Sequence, residues 1–215
     1  MKYQAVIFDL DGTLLNTLDD LMESANYALE CCHMPVRTYE HIRRSVGNGA
    51  KRLIELSVPE GTDSAKTDEV FDIFREHYNL HCNDKTDLYP GIRELLAELK
   101  ARGVPMAIVS NKYWEGVQNL KEQYFRDYLD IAIGEKEGLC KKPAPDMVFE
   151  ALRLLGVSKE NAVYIGDSEV DIATAANCEM DCIAVGWGFR TRDEQIRAGA
   201  KIFAEEPRDI VKMFS

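Results

Sequence analysis

The sequence predicts an α/β protein, a doubly wound parallel sheet with an all-helical segment inserted after the first strand. Three observations carry that expectation. Apolar runs of strand length at 6–8, 106–109, 131–133, 162–165 and 182–185 alternate with stretches whose apolar residues recur at helical spacing. Such alternation implies parallel strands joined by crossover helices. Between about 16 and 86 the strand pattern stops, so the first strand is separated from its partners by helices alone. The expected division is a core of 1–15 with 87–215 and a helical cap of 16–86.

Each element follows from its residues. Val6-Ile7-Phe8 is too short for a helix and runs into Asp9-Leu10-Asp11-Gly12-Thr13, where glycine breaks the run. Asn16-Thr17 with Asp19 and Asp20 reads as a helix start. Leu18, Leu21, Met22, Ala25, Leu29 and Cys32 supply the stripe, and Pro35 stops it. Short helices are expected over 39–46 and 50–56, split by Gly47-Asn48-Gly49. Val70, Phe71, Phe74 and Tyr78 mark the next helix. After the Pro90-Gly91 turn, Ile92, Leu95, Leu96 and Leu99 form a helix capped near Gly103. Helices are also expected around Val117–Tyr124 and Val148–Leu155, the latter stopped by Gly156, and over 172–176. Residues 202–203 form a last short strand, and 207–214 a closing helix.

A chain of 215 residues can bury a real core, and 46% hydrophobic residues is ordinary for a globular protein. The net charge of −11, without a basic cluster, disfavours a nucleic-acid partner, and none is expected. No apolar run reaches the roughly 20 residues of a membrane span. No secretory signal is visible, so the expected location is cytoplasmic, with the six cysteines as reduced thiols. His77, His81 and Cys82 lack the second ligand cluster of a zinc finger. All four histidines fall in the helical segment, and no G-x-S-x-G occurs, which disfavours a Ser-His-Asp hydrolase.

The chemistry gathers at strand ends. Open α/β sheets deliver functional groups there. Asp9 ends the first strand and Asp11 lies two residues on; carboxylates this close repel unless a cation, proton or water intervenes. One can serve as nucleophile and the other as proton donor and acceptor. A strand end with solvated acids is the competing reading. Ser110, after Val109, offers a hydroxyl beside backbone N–H groups that can hold a phosphate oxygen, although Ser-Asn is also ordinary turn chemistry. Lys142, before Pro143-Ala144-Pro145, can lend charge to a buried anion or be simply solvated. Cys140 beside Lys141 and Lys142 is read as packing. Gly166-Asp167 ends another strand, and Asp171, four residues on in a helix, aims at the same point; acids at a helix N-terminus explain the pattern equally.

Together these motifs resemble the haloacid dehalogenase-like phosphohydrolases. Asp9-Leu10-Asp11-Gly12-Thr13-Leu14, Ser110, Lys142-Pro143-Ala144-Pro145 and Gly166-Asp167 with Asp171 match the family's four motifs in order, and the resemblance spans residues 5 to about 190. It implies a Rossmann-like core with a helical cap. It also implies Asp9 as the attacking nucleophile and Asp11 as general acid and base. Ser110, Asn111 and Lys142 would bind the phosphoryl group. A magnesium ion would be held by Asp9, Asp11 (through its backbone carbonyl), Asp167 and Asp171. One departure is Glu179, where relatives usually carry glycine after the fourth-motif helix, which puts the shape of that loop in question.

The cap resembles that of phosphoglycolate phosphatases. Gly47, Asn48 and Gly49 look like that subfamily's substrate-facing loop, and Lys51 and Arg52 are expected to add positive charge there. The implied function is magnesium-dependent hydrolysis of a small phosphorylated metabolite, such as 2-phosphoglycolate, through an aspartyl-phosphate, by a monomer or homodimer. Pyrophosphatase, beta-phosphoglucomutase and nucleotidase activities share the motifs. A receiver-type signalling domain shares the carboxylates, hydroxyl, lysine and magnesium, but needs neither a helical lid nor a proton shuttle at Asp11.

Overall fold

In the computed structural model, which describes residues 3–214, six parallel strands run in the order β5-β4-β1-β6-β7-β8. They are β1 (Ala5–Phe8), β4 (Met106–Tyr113), β5 (Ile131–Glu135), β6 (Ala162–Gly166), β7 (Asp181–Val185) and β8 (Ile202–Ala204). β1 is central, pairing Val6 with Met106 on one side and Val163 on the other. Successive residues of β1 face opposite sides of the sheet. Val6 and Phe8 pack in the layer that holds Leu95 and Leu99 of α5 (Ile92–Ala101), Val117 of α6 (Trp114–Leu120) and Ile210 of α10 (Pro207–Met213). Ala5 and Ile7 pack with Met147, Val148 and Ala151 of α7 (Asp146–Leu155) and Ala175 of α8 (Glu169–Asn177). Burying both faces is why these strands read as continuous apolar runs. Each fully buried Ile or Phe here contributes about 1.5–3 kcal/mol.

The described chain divides into two compact units, one formed up to Leu15 and from Leu88 onward, the other by Asn16–Asp87. The second unit holds α1 (Leu18–Cys31), α2 (Tyr39–Ser45), α3 (Ala50–Ser57) and α4 (Ser64–His81). Leu21, Ala25, Ala28, Leu29, Val70, Phe74 and Tyr78 are buried within it. Asp20 accepts hydrogen bonds from the backbone of Lys85 and Thr86 and from the Thr86 hydroxyl, tying the end of the segment to its start. Two-residue strands β2 (Leu15–Asn16) and β3 (Asp87–Leu88) pair where the chain enters and leaves the unit.

Several details differ from the sequence expectation. β4 continues through Tyr113, because Ser110, Asn111 and Lys112 stay buried with partners instead of turning into solvent. The helix after it widens into a π-helical turn at Lys121–Phe125. A further helix, α9 (Arg192–Arg197), had no apolar stripe to announce it. Thr17 makes no side-chain cap for α1. Lys51 of α3 pairs with Asp68 of α4 at 2.6 Å and Arg52 with Glu55 of its own helix at 2.9 Å, both pairs exposed. Cys140 is exposed, not packed. All six cysteines are free thiols.

Candidate active site

The sheet order changes direction at β1, with β4 on one side and β6 on the other, and such a switch point opens a crevice at the carboxyl ends of the strands. Asp9 follows β1 directly, Ser110 to Lys112 end β4, Lys142 precedes α7 and Asp167 follows β6. One carboxylate oxygen each from Asp9, Asp167 and Asp171 lies within 4.8 Å of the others, all three residues buried.

Lys142 is the hub. Its ammonium donates to Asp9 Oδ1 at 2.7 Å, Asp171 Oδ1 at 2.7 Å and the Tyr164 hydroxyl at 3.0 Å, which accounts for its three hydrogens. It is 3% exposed. Burial alone would drive its proton off, but Asp171 and Asp9 more than offset this and hold its pKa well above the usual lysine range. Asp171 shows the converse: burial disfavours its charge, yet Lys142 and the Ser168 hydrogen bonds pull its pKa below the usual carboxylate value. Its Oδ2 accepts from the Ser168 amide at 3.0 Å and hydroxyl at 2.7 Å, closing a capping box on α8. Both its oxygens are thus occupied, and its first role here is to orient Lys142.

Asp9 and Asp167 are both held above the usual carboxylate range. Burial, then Asp171, pushes Asp9 well up, with Asp167 adding to it and Lys142 pulling it back only in part. Burial and Asp171 raise Asp167 to about 7 against the Phe189 amide and Arg190. Two carboxylates whose charge is disfavoured by burial and by Asp171, with hard oxygen donors close to one another, fit a small divalent cation such as magnesium. The loop before them leaves room: Gly12 has φ +86°, and a Cβ there would stand 2.7 Å from Asp167 Oδ1.

Asp11 lies outside that trio. Its Oδ1 is 3.1 Å from Lys112 Nζ, an ion pair without hydrogen-bond geometry, since the same oxygen has no hydrogen-bond partner. Ser110 is buried, and its hydroxyl accepts from the Lys112 amide at 3.2 Å. Asn111 departs from the anion-binding expectation. Its carboxamide donates to the Lys142 carbonyl at 2.9 Å and accepts from the Lys142 amide at 2.7 Å, so the side chain positions Lys142. Gly47, Asn48 and Gly49 lie in the helical unit between α2 and α3.

Sequence reasoning missed several supports. Tyr164 donates to Asp171 Oδ1 at 3.2 Å; on a buried strand it had looked like core. The 186–190 segment braces Asp167. Its Phe189 amide donates to Asp167 Oδ2 at 2.7 Å, and Trp187 Nε1 donates to the Thr13 carbonyl at 2.9 Å. Arg190 holds Glu169 with two hydrogen bonds of 2.7 and 2.9 Å. Gln195 Nε2 donates to the carbonyls of Asp167 and Val185, both at 2.8 Å. Only the glycines at 186 and 188 hinted at this close approach.

The model of the haloacid dehalogenase-like hydrolase family matches residues 6–185. A phosphoglycolate phosphatase of Mesorhizobium japonicum is 32% identical over 197 residues, 89% of this chain and 86% of the relative. That of Chromobacterium violaceum is 31% identical over 191 residues, 86% of each. The crystal structure of a protein proposed to be a phosphoglycolate phosphatase from Lactobacillus delbrueckii subsp. bulgaricus superposes with a TM-score of 0.94 at 39% identity, covering 99% of this chain and 98% of that one. The chain belongs to the haloacid dehalogenase-like hydrolases.

Proposed function

We propose that the protein is a magnesium-dependent phosphatase that hydrolyses a small phosphomonoester, 2-phosphoglycolate being the leading candidate, through a phosphoryl group carried on Asp9. The observation that carries this is the convergence of Asp9, Asp11, Lys142 and Asp167 at the carboxyl end of the central strand. The relatives' activity supports the substrate class.

Asp9 and Asp167 would hold the cation, with Asp171 steadying Lys142 beside them. When bound, magnesium supplies positive charge to the phosphoryl oxygens and to these carboxylates. Asp9 attacks phosphorus in line, and the ester oxygen leaves with a proton from Asp11. The products of that step are the free alcohol and an aspartyl-phosphate. Asp11, now a carboxylate, takes a proton from water as the water oxygen attacks phosphorus. Inorganic phosphate leaves and Asp9 is restored. Lys142, which donates to Asp9 Oδ1, offsets part of the cost of charge on Asp9, and the cation would offset more; Ser110 donates to a phosphoryl oxygen as charge shifts. The helical unit is assigned the choice of leaving group.

A panel of phosphomonoesters and pyrophosphate assayed with magnesium and ranked by kcat/KM tests the substrate class. Asp9→Asn, a poor nucleophile, is expected to lose turnover by about a thousandfold or more; a folded, sequence-verified variant that retains activity removes Asp9 from its role.

A further inference from the structure

Asp167 is held by residues that lie beyond position 185, where the match to the family ends. The ladder between β6 and β7 closes with Gly166 opposite Ala184. At the next residue on each side a single side chain takes over. Gln195 Nε2 donates to the carbonyls of Asp167 and Val185, both at 2.8 Å. These two acceptors fix which way the amide points, since the reversed amide would set an oxygen against both carbonyls. Gln195 is 1% exposed. It comes from α9, whose start is fixed by a capping box between Thr191 and Glu194.

The side chain of Asp167 is held separately. The Phe189 amide donates to its Oδ2 at 2.7 Å. Gly188 closes on it so tightly that a Cβ there would stand 2.3 Å from Asp167 Cβ and 2.4 Å from the Gly12 carbonyl oxygen. The protein alone therefore fixes Asp167 at its main chain, at its Cβ and at one carboxylate oxygen. A ligand fixed in advance costs a cation little ordering on binding. Outer contacts of this kind set the affinity of metal sites.

We propose that Gln195 is a positioning residue for the cation site: its amide fixes the Asp167 main chain before the cation arrives, and so sets the affinity for magnesium. The inference rests on the proposed cation site at Asp9 and Asp167 and deepens it. It gives α9, a helix outside the four motifs, control over how readily that site fills.

Gln195→Met keeps the length of the side chain and removes both donors. Magnesium binding is measured by calorimetric titration and by the rise in melting temperature on wild type, Gln195→Met and Arg197→Ala, the last an exposed position of the same helix. Gln195→Met should raise the Kd for magnesium about tenfold, and turnover lost at limiting magnesium should return in part at excess. Arg197→Ala should bind magnesium as wild type does. In wild type, the Gln195 side-chain amide and the Phe189 amide should be protected from hydrogen exchange before magnesium is added as well as after. This arm decides the matter if Gln195→Met does not fold, which a melting curve reports. An unchanged Kd in folded Gln195→Met, an equal loss in Arg197→Ala, or protection that appears only with magnesium overturns the assignment while leaving the phosphatase reading intact. A wild type that binds magnesium and hydrolyses no phosphomonoester overturns the phosphatase reading alone. A wild type that binds no magnesium overturns the cation site and this inference with it.

Discussion

The side chain of Asn111 and the peptide of Lys142 face each other as a two-hydrogen-bond pair, 2.9 Å one way and 2.7 Å the other. The pair joins the end of β4 to the segment before α7, across 31 positions of sequence. It fixes the main chain from which the Lys142 ammonium reaches Asp9. Asn111→Ala would leave a buried N–H and a buried carbonyl without these partners, at a cost of about 1–3 kcal/mol. The melting temperature should fall by several degrees, about 2–4 °C per kcal/mol for a chain of this size. Turnover of an aryl phosphate should drop about ten- to a hundredfold, because Lys142 is misplaced without being removed. A variant with unchanged melting and unchanged kcat would show that Lys142 needs no such clamp.

Magnesium should stabilise the protein in a pH-dependent way. Asp167 rises from its ordinary 3.8 to about 7 in the metal-free protein, by burial and by Asp171. A raised carboxyl pKa means the native state holds a proton that the unfolded chain has released. That group costs nothing below about pH 4, and it costs more stability as pH rises towards 7. A cation at Asp9 and Asp167 removes the cost by replacing the proton. The gain in melting temperature on adding magnesium should therefore be larger at about pH 8 than at about pH 5.5. Calorimetric titration near neutral pH, in two buffers of different ionisation enthalpy, should detect proton release. Equal gains at both pH values, with no proton released, would remove Asp167 from the cation site.

Much of this fold was legible because a two-sided parallel sheet leaves little ambiguity: Val6-Ile7-Phe8 and Ala162–Ile165 cannot be solvated helices. The motifs at strand ends marked the crevice. What stayed hidden was polar structure that serves the site from inside the core. Tyr164 alternates like any core residue of β6, and only its hydroxyl, 3.0 Å from Lys142 Nζ, tells it apart. Ser110-Asn111-Lys112 reads as a loop because its polar side chains ordinarily seek water; here each has a buried partner, so the strand continues. The brace from Trp187 to Gln195 depends on backbone amides and carbonyls, which sequence does not encode residue by residue.

Glu179 was legible as a departure, and the structure shows its form. It sits at φ +56° just past the end of α8. Its amide donates to the Ala176 carbonyl at 3.0 Å and the Met180 amide to the Ala175 carbonyl at 2.9 Å, the pair of bonds that closes a helix through a left-handed residue. A glycine-type turn is thus made with a side chain present, and Lys159 pairs with that side chain at the surface. Relief of left-handed strain is worth about 1 kcal/mol, and an exposed ion pair is worth less. Glu179→Gly should raise the melting temperature by about 2–4 °C with kcat unchanged. A lower melting temperature would mean that the ion pair outweighs the backbone term.

The glycine loop of the helical unit provides the last test. Gly47 has φ +127° and Gly49 φ +88°, so replacing either strains the backbone whatever the loop recognises. Asn48 is the position where chemistry can be changed alone. The loop opens α3, whose cap Gly49 makes no side-chain hydrogen bond and whose first turn contains no acid. The first backbone N–H groups of that helix therefore lack those intramolecular partners, and helix N-termini favour anions. If this loop selects small acidic leaving groups, Asn48→Leu should lower kcat/KM for 2-phosphoglycolate about tenfold. Activity on an aryl phosphate should suffer much less, because Asp9, Asp11 and Lys142 are untouched. Circular dichroism and a melting curve on the variant separate lost recognition from lost folding. A folded Asn48→Leu protein that loses both substrates equally, or neither, would take selectivity away from this loop.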